Sequence, residues 1–211
     1  MKLYSYWRSS SAHRVRIALH LKGIPFEYAA VNLLEGRQWE AEHRARSPMA
    51  KVPVLELDDG RLITESIAIL EYVEELHPTP SLLPSDRWLR ARTRMLASMI
   101  ASGIQPFQNR EVGVYLRKNL QADEKSWTRH WLAQGLLALE QAVNVTAGRF
   151  CVGDEPTFAD VFLVPQIVAA RRFQVDLEPM PTLRRIEAAC AELEAFQKAD
   201  PEVQPDAPRT P

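Results

Sequence analysis

No stretch of this sequence stays apolar for the roughly 20 residues that a bilayer crossing needs. Lys2 and Arg8 also interrupt the N-terminus where a secretory leader would place its apolar core. No membrane partner and no export are expected, so the setting predicted is cytoplasmic. Cysteine is scarce: Cys151 and Cys190 are the whole supply, and neither has a CxxC or short His spacing. That argues against a disulfide framework and against any metal centre, and leaves both as packing thiols. Excess charge of one sign is lacking too. With 26 Lys and Arg against 27 Asp and Glu, there is no polycationic footprint for nucleic acid and no acidic tail. Internal repeats and low-complexity tracts are also missing.

What is present is an ordinary globular composition, 46% hydrophobic and 25% charged over 211 residues, enough for one large domain or two small ones. The first eighty residues alternate strand and helix signals. An apolar run over 2–6 precedes Ala12, Val15, Ala18 and Leu19 at helical spacing, and Gly23 followed by Pro25 stops that helix. A second strand follows over 26–31, then a charged stretch of weak helical character over 37–46. Two short alternating runs around Asp58-Asp59-Gly60 read as a hairpin. Ser66 can then cap a helix whose apolar face is Ile69, Leu70, Val73 and Leu76. The order is βαβ, a helical crossover, then ββα. From Trp88 onward the pattern is helical almost throughout. Two domains are predicted: an α/β domain over 1–80 and an all-helical domain over 87–211. The linker lies over 79–86, and the proline-rich end, 201–211, is read as a loosely held tail.

Three junctions can carry chemistry. Ser9, Ser10 and Ser11 open the first helix, where unpaired backbone N–H groups and the macrodipole favour an anion. One of them can simply cap the helix, or a hydroxyl can donate to a thiolate, and both readings stand. At a second strand-to-helix junction, Ser66 can bind a carboxylate while Glu65 pairs with an ammonium, which suits an α-amino acid head. The third is Lys51-Val52-Pro53. Local sequence there favours a trans proline at a strand start, whereas a cis bond would turn the Val52 backbone toward a peptide-like ligand. Thr157 and Asp160 read as a capping box with a folding role. Trp39, Trp88, Trp127 and Trp131 read as packing residues.

These pieces, with SSSAHRVRIALHLKGIPFEY, SPMAKVPVLELDDG, TESIAILEYVEE, IASGIQPFQN and FCVGDEPTFADVFLVPQ, resemble the zeta class of the glutathione transferase family over nearly the whole chain. The resemblance implies a glutathione transferase fold: α/β plus all-α, with a thioredoxin-like N-terminal domain and a helical C-terminal domain. It also implies a homodimer with glutathione as cofactor. The implied activity is cis-trans isomerisation of maleylacetoacetate or maleylpyruvate, small dicarboxylates of aromatic catabolism. Where the family has a cysteine this chain has Ser11, so the adding thiol is expected to be glutathione's own. Carried over by position, Ser9, Ser10 and Ser11 surround the thiol. Val52 and Pro53 meet the cysteinyl backbone, Glu65 and Ser66 hold the γ-glutamyl head, and Gln38, Gln105 and Asn109 add contacts. Arg8, Arg110 and Arg172 are expected to hold substrate carboxylates. His13 is either a pocket residue for substrate or an exposed helix histidine. Arg110 and His13 look more like the maleylpyruvate branch. The rival readings are a general transferase acting on small electrophiles such as α-halo acids, and a non-catalytic binding module.

Overall fold

The computed structural model describes residues 1–208. The chain divides into two compact units, one made of Met1–Ser81 with the chain end from Glu192, the other of Leu82–Ala191. This departs from the predicted helical domain over 87–211, because residues 192–208 pack within the first unit instead. The predicted loose tail is likewise anchored as far as Asp206. Its positions 209–211 lie outside the described residues.

In the first unit, β1 (Lys2–Ser5) leads to α1 (Ser10–Leu21) and β2 (Glu27–Ala30). A short 3-10 turn at Arg37–Trp39 and α2 (Ala41–Arg46) cross over to β3 (Val54–Glu56), β4 (Leu62–Thr64) and α3 (Ser66–Leu76). The sheet order is β2-β1-β3-β4, with β1 parallel to β2 and both other pairings antiparallel. The expected hairpin is formed around Gly60, whose φ of 82° suits the residue without a Cβ. Register matters for everything that follows. Tyr4 faces Val54 and Val54 faces Thr64, so the exit of β1, the entrance to β3 and the exit of β4 share one end of the sheet. The three junctions singled out from sequence meet there.

Helix α1 is closed in along an unbroken run from Ala12 to Leu19, polar residues included. Arg14 is 1% exposed and Arg16 0%. The Arg16 Nε donates to the Ala199 carbonyl at 3.1 Å, Nη2 to the Trp7 carbonyl at 3.0 Å and Nη1 to Ser5 Oγ at 3.2 Å. Residue 199 closes the last helix, Glu194–Ala199, so one buried guanidinium ties that helix to the sheet. His13 is 2% exposed, which corrects the reading of it as an exposed helix histidine: it is an interior residue. Lys22, also interior, is paired to Glu74 at 2.5 Å and donates to the carbonyls of His77 at 2.7 Å and Pro80 at 2.5 Å. It thereby satisfies chain that leaves α3.

The second unit is helical: α4 (Arg87–Ser98), α5 (Arg110–Asn119), α6 (Glu124–Val143), α7 (Phe158–Arg172) and α8 (Pro181–Ala191). Between α4 and α5 the backbone widens into a π turn, Met99–Ile104, and tightens into a 3-10 turn, Gln105–Gln108. Gly135 on α6 makes room for this: a Cβ there would lie 2.6 Å from Ile104 Cγ1. Thr157 caps α7 and Asp160 returns to it in the expected capping box. The fully buried Asp160 takes the Thr157 N–H at 2.8 Å, the Thr157 hydroxyl at 2.9 Å and the Cys151 N–H at 2.8 Å. The α-helix Glu194–Ala199 belongs to the first unit as α9, followed by a 3-10 turn at Pro201–Val203.

Two outcomes follow from these interiors. Asp160→Ala strands two buried backbone N–H groups, each costing about 1–3 kcal/mol, so a loss of about 3 kcal/mol is expected in denaturant titration, beyond an ordinary cap. Burial, reinforced by the like charges of Arg16 and Arg14, holds His13 well below the usual imidazole range. The unfolded chain therefore takes up a proton near pH 6.5 that the folded state refuses. Stability from this source is complete above that pH and falls by about 1 kcal/mol per unit below it. Comparing wild type with His13→Gln from pH 7.5 to 5.5 should reveal the excess slope in the wild type alone.

Candidate active site

Ser9 is the N-cap of α1, and its Oγ accepts the Ala12 N–H at 3.2 Å. The two sequence readings of the serines are therefore compatible. Capping uses an oxygen lone pair and leaves the hydroxyl proton for donation outward. Ser9, Ser10 and Ser11 are all half-buried, and Arg8 is exposed with its guanidinium 5.4 Å from the Trp7 ring centroid.

Across the sheet end, α3 begins differently from the expectation. Ser66 is its first helical residue rather than its cap. The cap position is Glu65, which holds φ at 66° and makes no side-chain capping bond. A non-glycine residue in that region is strained, as is common where a ligand is bound. The first-turn N–H groups thus lack a side-chain partner at the cap, which leaves a donor set suited to a carboxylate. The Ser66 hydroxyl accepts from Arg14 Nη1 at 3.2 Å. Arg14 is a residue that sequence reasoning missed. Its signals were an arginine inside the helical pattern of Ala12, Val15 and Ala18 and its place in the SSSAHRVRIAL stretch that carries the family resemblance. Burial lowers its pKa to about 9, so it remains cationic at neutral pH and adds positive potential behind the Ser66 junction.

The Val52–Pro53 bond is cis, against the trans isomer that local sequence favoured. Val52 takes part in no turn, loop or cap hydrogen bond among the described residues, and the β3–β4 ladder begins at Val54. Lys51, half-buried beside this junction, has its pKa lowered by desolvation while the Glu65 carboxylate opposes the shift. The sequence reading placed it at this junction without giving it a role of its own. Gln38 is 3% exposed and its Oε1 is buried without a hydrogen-bond partner. A buried acceptor of that kind calls for a donor from a ligand or water.

The remaining predicted residues lie in the other unit. Gln105 Nε2 donates to Asn109 Oδ1 at 2.7 Å, and Gln108 accepts from the buried Gln166 at 3.0 Å. Arg110 is exposed at the first position of α5, where the helix dipole disfavours a cation unless an anion is near. Arg172 closes α7, exposed, with its guanidinium 4.8 Å from the Phe173 ring centroid. Cys151 and Cys190 are both free and buried, and desolvation raises both thiols. No helix among the described residues is long and apolar enough to cross a membrane.

Comparison with known proteins gives this geometry a context. A family model described as the glutathione S-transferase N-terminal domain matches residues 8–76. The chain is 46% identical to a maleylpyruvate isomerase of a Ralstonia species, covering 98% of this chain and 99% of that protein. Among solved structures it resembles a maleyl pyruvate isomerase described as a bacterial zeta-class glutathione S-transferase, with TM-score 0.95, 45% identity and coverage of 99% and 100%. It also resembles the maleylacetoacetate isomerase of Anaeromyxobacter dehalogenans 2CP-1 with glutathione in its active site, with TM-score 0.91, 57% identity and coverage of 98% and 97%. The fold, the serine junction and similarity extending over nearly the full chain agree: this chain belongs to the zeta class of the glutathione transferase family.

Proposed function

We propose that this protein is a glutathione-dependent cis-trans isomerase of a maleyl keto acid, either maleylacetoacetate or maleylpyruvate, acting in aromatic catabolism as a homodimer. The observation that supports it most is the meeting of two helix N-termini at one sheet end. One presents a serine hydroxyl proton, and the other presents uncapped N–H groups beside a carboxylate. Glutathione needs just these partners. Its γ-glutamyl carboxylate suits the α3 terminus with Ser66, and its ammonium suits Glu65. Its cysteinyl backbone suits Val52, and Gln38 supplies an acceptor that nothing else satisfies.

Glutathione bound there would supply a thiolate able to add to the conjugated cis double bond and leave once the resulting single bond has turned. The protein's own share is electrostatic. Ser9 donates its hydroxyl proton toward the sulfur, with Ser10 and Ser11 beside it, so the charged thiol form is favoured and its pKa falls. The helix terminus adds to the same effect. Arginine is the natural holder for a dicarboxylate because its fork binds carboxylates bidentately and keeps its charge. Arg8, Arg110 and Arg172 are assigned that role, and Gln105 and Asn109 further glutathione contacts, on the sequence match. His13, an interior residue, stays in the substrate set on the same sequence match.

Maleylpyruvate and maleylacetoacetate should be offered side by side, with total free thiol followed throughout. Rapid isomerisation of either at constant thiol is the expected result. Thiol consumed by α-halo acids without isomerisation would instead make this a conjugating enzyme. Ser9→Ala should raise the pKa of the bound glutathione thiol by about one unit, since a hydrogen bond to a charged group contributes about 1.5–3 kcal/mol. An unmoved pKa in single alanine variants of Ser9, Ser10 and Ser11 would remove the serines from the mechanism.

A further inference from the structure

The serine junction is set by residues at the far end of the chain. Ser9 N–H donates to the Tyr6 carbonyl at 2.9 Å, so residues 6–9 form a turn with Trp7 and Arg8 at its centre. Both backbone groups of Trp7 are held by charged side chains. Its N–H donates to Asp206 Oδ2 at 3.0 Å, and its carbonyl accepts from the buried Arg16 at 3.0 Å. The other carboxylate oxygen of Asp206 accepts the Tyr28 hydroxyl at 2.6 Å. Two successive peptide planes, Tyr6–Trp7 and Trp7–Arg8, are therefore fixed in orientation. A turn of this kind can otherwise exchange between forms by flipping its central peptide, Trp7–Arg8, which Arg16 holds, while rotation of the Tyr6–Trp7 peptide that leads into it, which Asp206 holds, would re-aim Arg8 and Ser9.

We propose that Asp206 is a positioning residue for the thiol site: by fixing the Trp7 N–H it sets the direction in which the Ser9 hydroxyl leaves the turn. This rests on the proposed glutathione reading of that junction. Were charge its active property, Asp206 would work against the chemistry, because a nearby anion disfavours a thiolate. Geometry and charge thus predict opposite effects, and the two can be separated. Asp206→Asn keeps an oxygen for the Trp7 N–H and an amide that can donate to the Tyr28 oxygen, while losing the charge. Asp206→Glu keeps the charge and displaces the oxygens by one methylene. Asp206→Ala loses both.

The experiment is a pH titration of the ultraviolet thiolate absorbance of glutathione bound to each variant, together with kcat/KM for isomerisation and a thermal melt. Asp206→Ala and Asp206→Glu should raise the thiol pKa measurably and lower kcat/KM about ten-fold, as misplaced donors do. Asp206→Asn should match the wild type in both. The proposal is overturned if the Asn variant lowers the thiol pKa, which would make charge the active property. It is equally overturned if Ala and Glu lower only the melting temperature and leave the thiol where it was, a purely structural role. Should the Ala variant not fold, the contrast between Asn and Glu decides alone. Wild-type protein that fails to bind glutathione would overturn the functional reading itself, and this positioning role with it, whereas normal binding with unmoved variants overturns the positioning role only.

Discussion

A guanidinium does not shed its charge at neutral pH, so burying two of them on one helix obliges the surroundings to supply oxygen atoms. Arg14 and Arg16 impose that demand on the first unit, and its architecture is the answer. Arg14 recruits the Ser66 hydroxyl at the head of α3, joining the two helix starts that frame the candidate site. Arg16 recruits carbonyls from the turn after β1 and from α9, and burial lowers its pKa only to about 10. Neither arginine reads as a ligand contact. They hold the Ser66 hydroxyl and the Trp7 carbonyl, at two of the junctions singled out from sequence.

The helical unit solves a comparable problem with a carboxylate. Asp160 is wholly buried at the start of α7 and is tolerated because three donors converge on it. Its pKa is nonetheless raised, desolvation outweighing the bonds to Cys151 and Thr157 that pull it down. Elsewhere in the unit the irregular stretch between α4 and α5 is accommodated rather than avoided. Ile104 fills the space that the missing side chain of Gly135 leaves, and Gln166 grips Gln108. Wide turns inside a helix are often found where function needs a backbone to deviate, and this one leads directly to Gln105 and Asn109.

Much of this could be read from sequence where local rules dominate. Gly23 after an amphipathic run, Asp59-Gly60 between two short strands and Thr157 with Asp160 each specify structure within a few residues, and each is found in place. What could not be read depends on distant partners. Ser66 looked like a cap because its residue type suits one, yet Arg14, 52 positions away, takes its hydroxyl. His13 looked ambiguous because an isolated helix does not reveal how completely it will be covered. The chain end was misread for the same reason: the proline-rich stretch over 201–208 has no periodicity, and the bonds that anchor it at Asp206 come from Trp7 and Tyr28. The serine cluster stood out, but its compatibility with capping needed the Ala12 bond to be seen.

The first unit is discontinuous in sequence, opening with Met1–Ser81 and closing only after residue 192. That has a bearing on synthesis. On the ribosome the strands β1 to β4 emerge early, yet Arg16 has no Ala199 carbonyl to meet, and the turn before Ser9 has no Asp206, until residues 192–206 have left the exit tunnel. The helical unit, by contrast, is continuous and can complete its own contacts first. Completion is thus inverted relative to sequence order: the strands made before the helical unit are finished after it, and a polypeptide cut short at residue 191 would carry Ser9, Ser10 and Ser11 without the bonds from Ala199 and Asp206 that brace the turn before them.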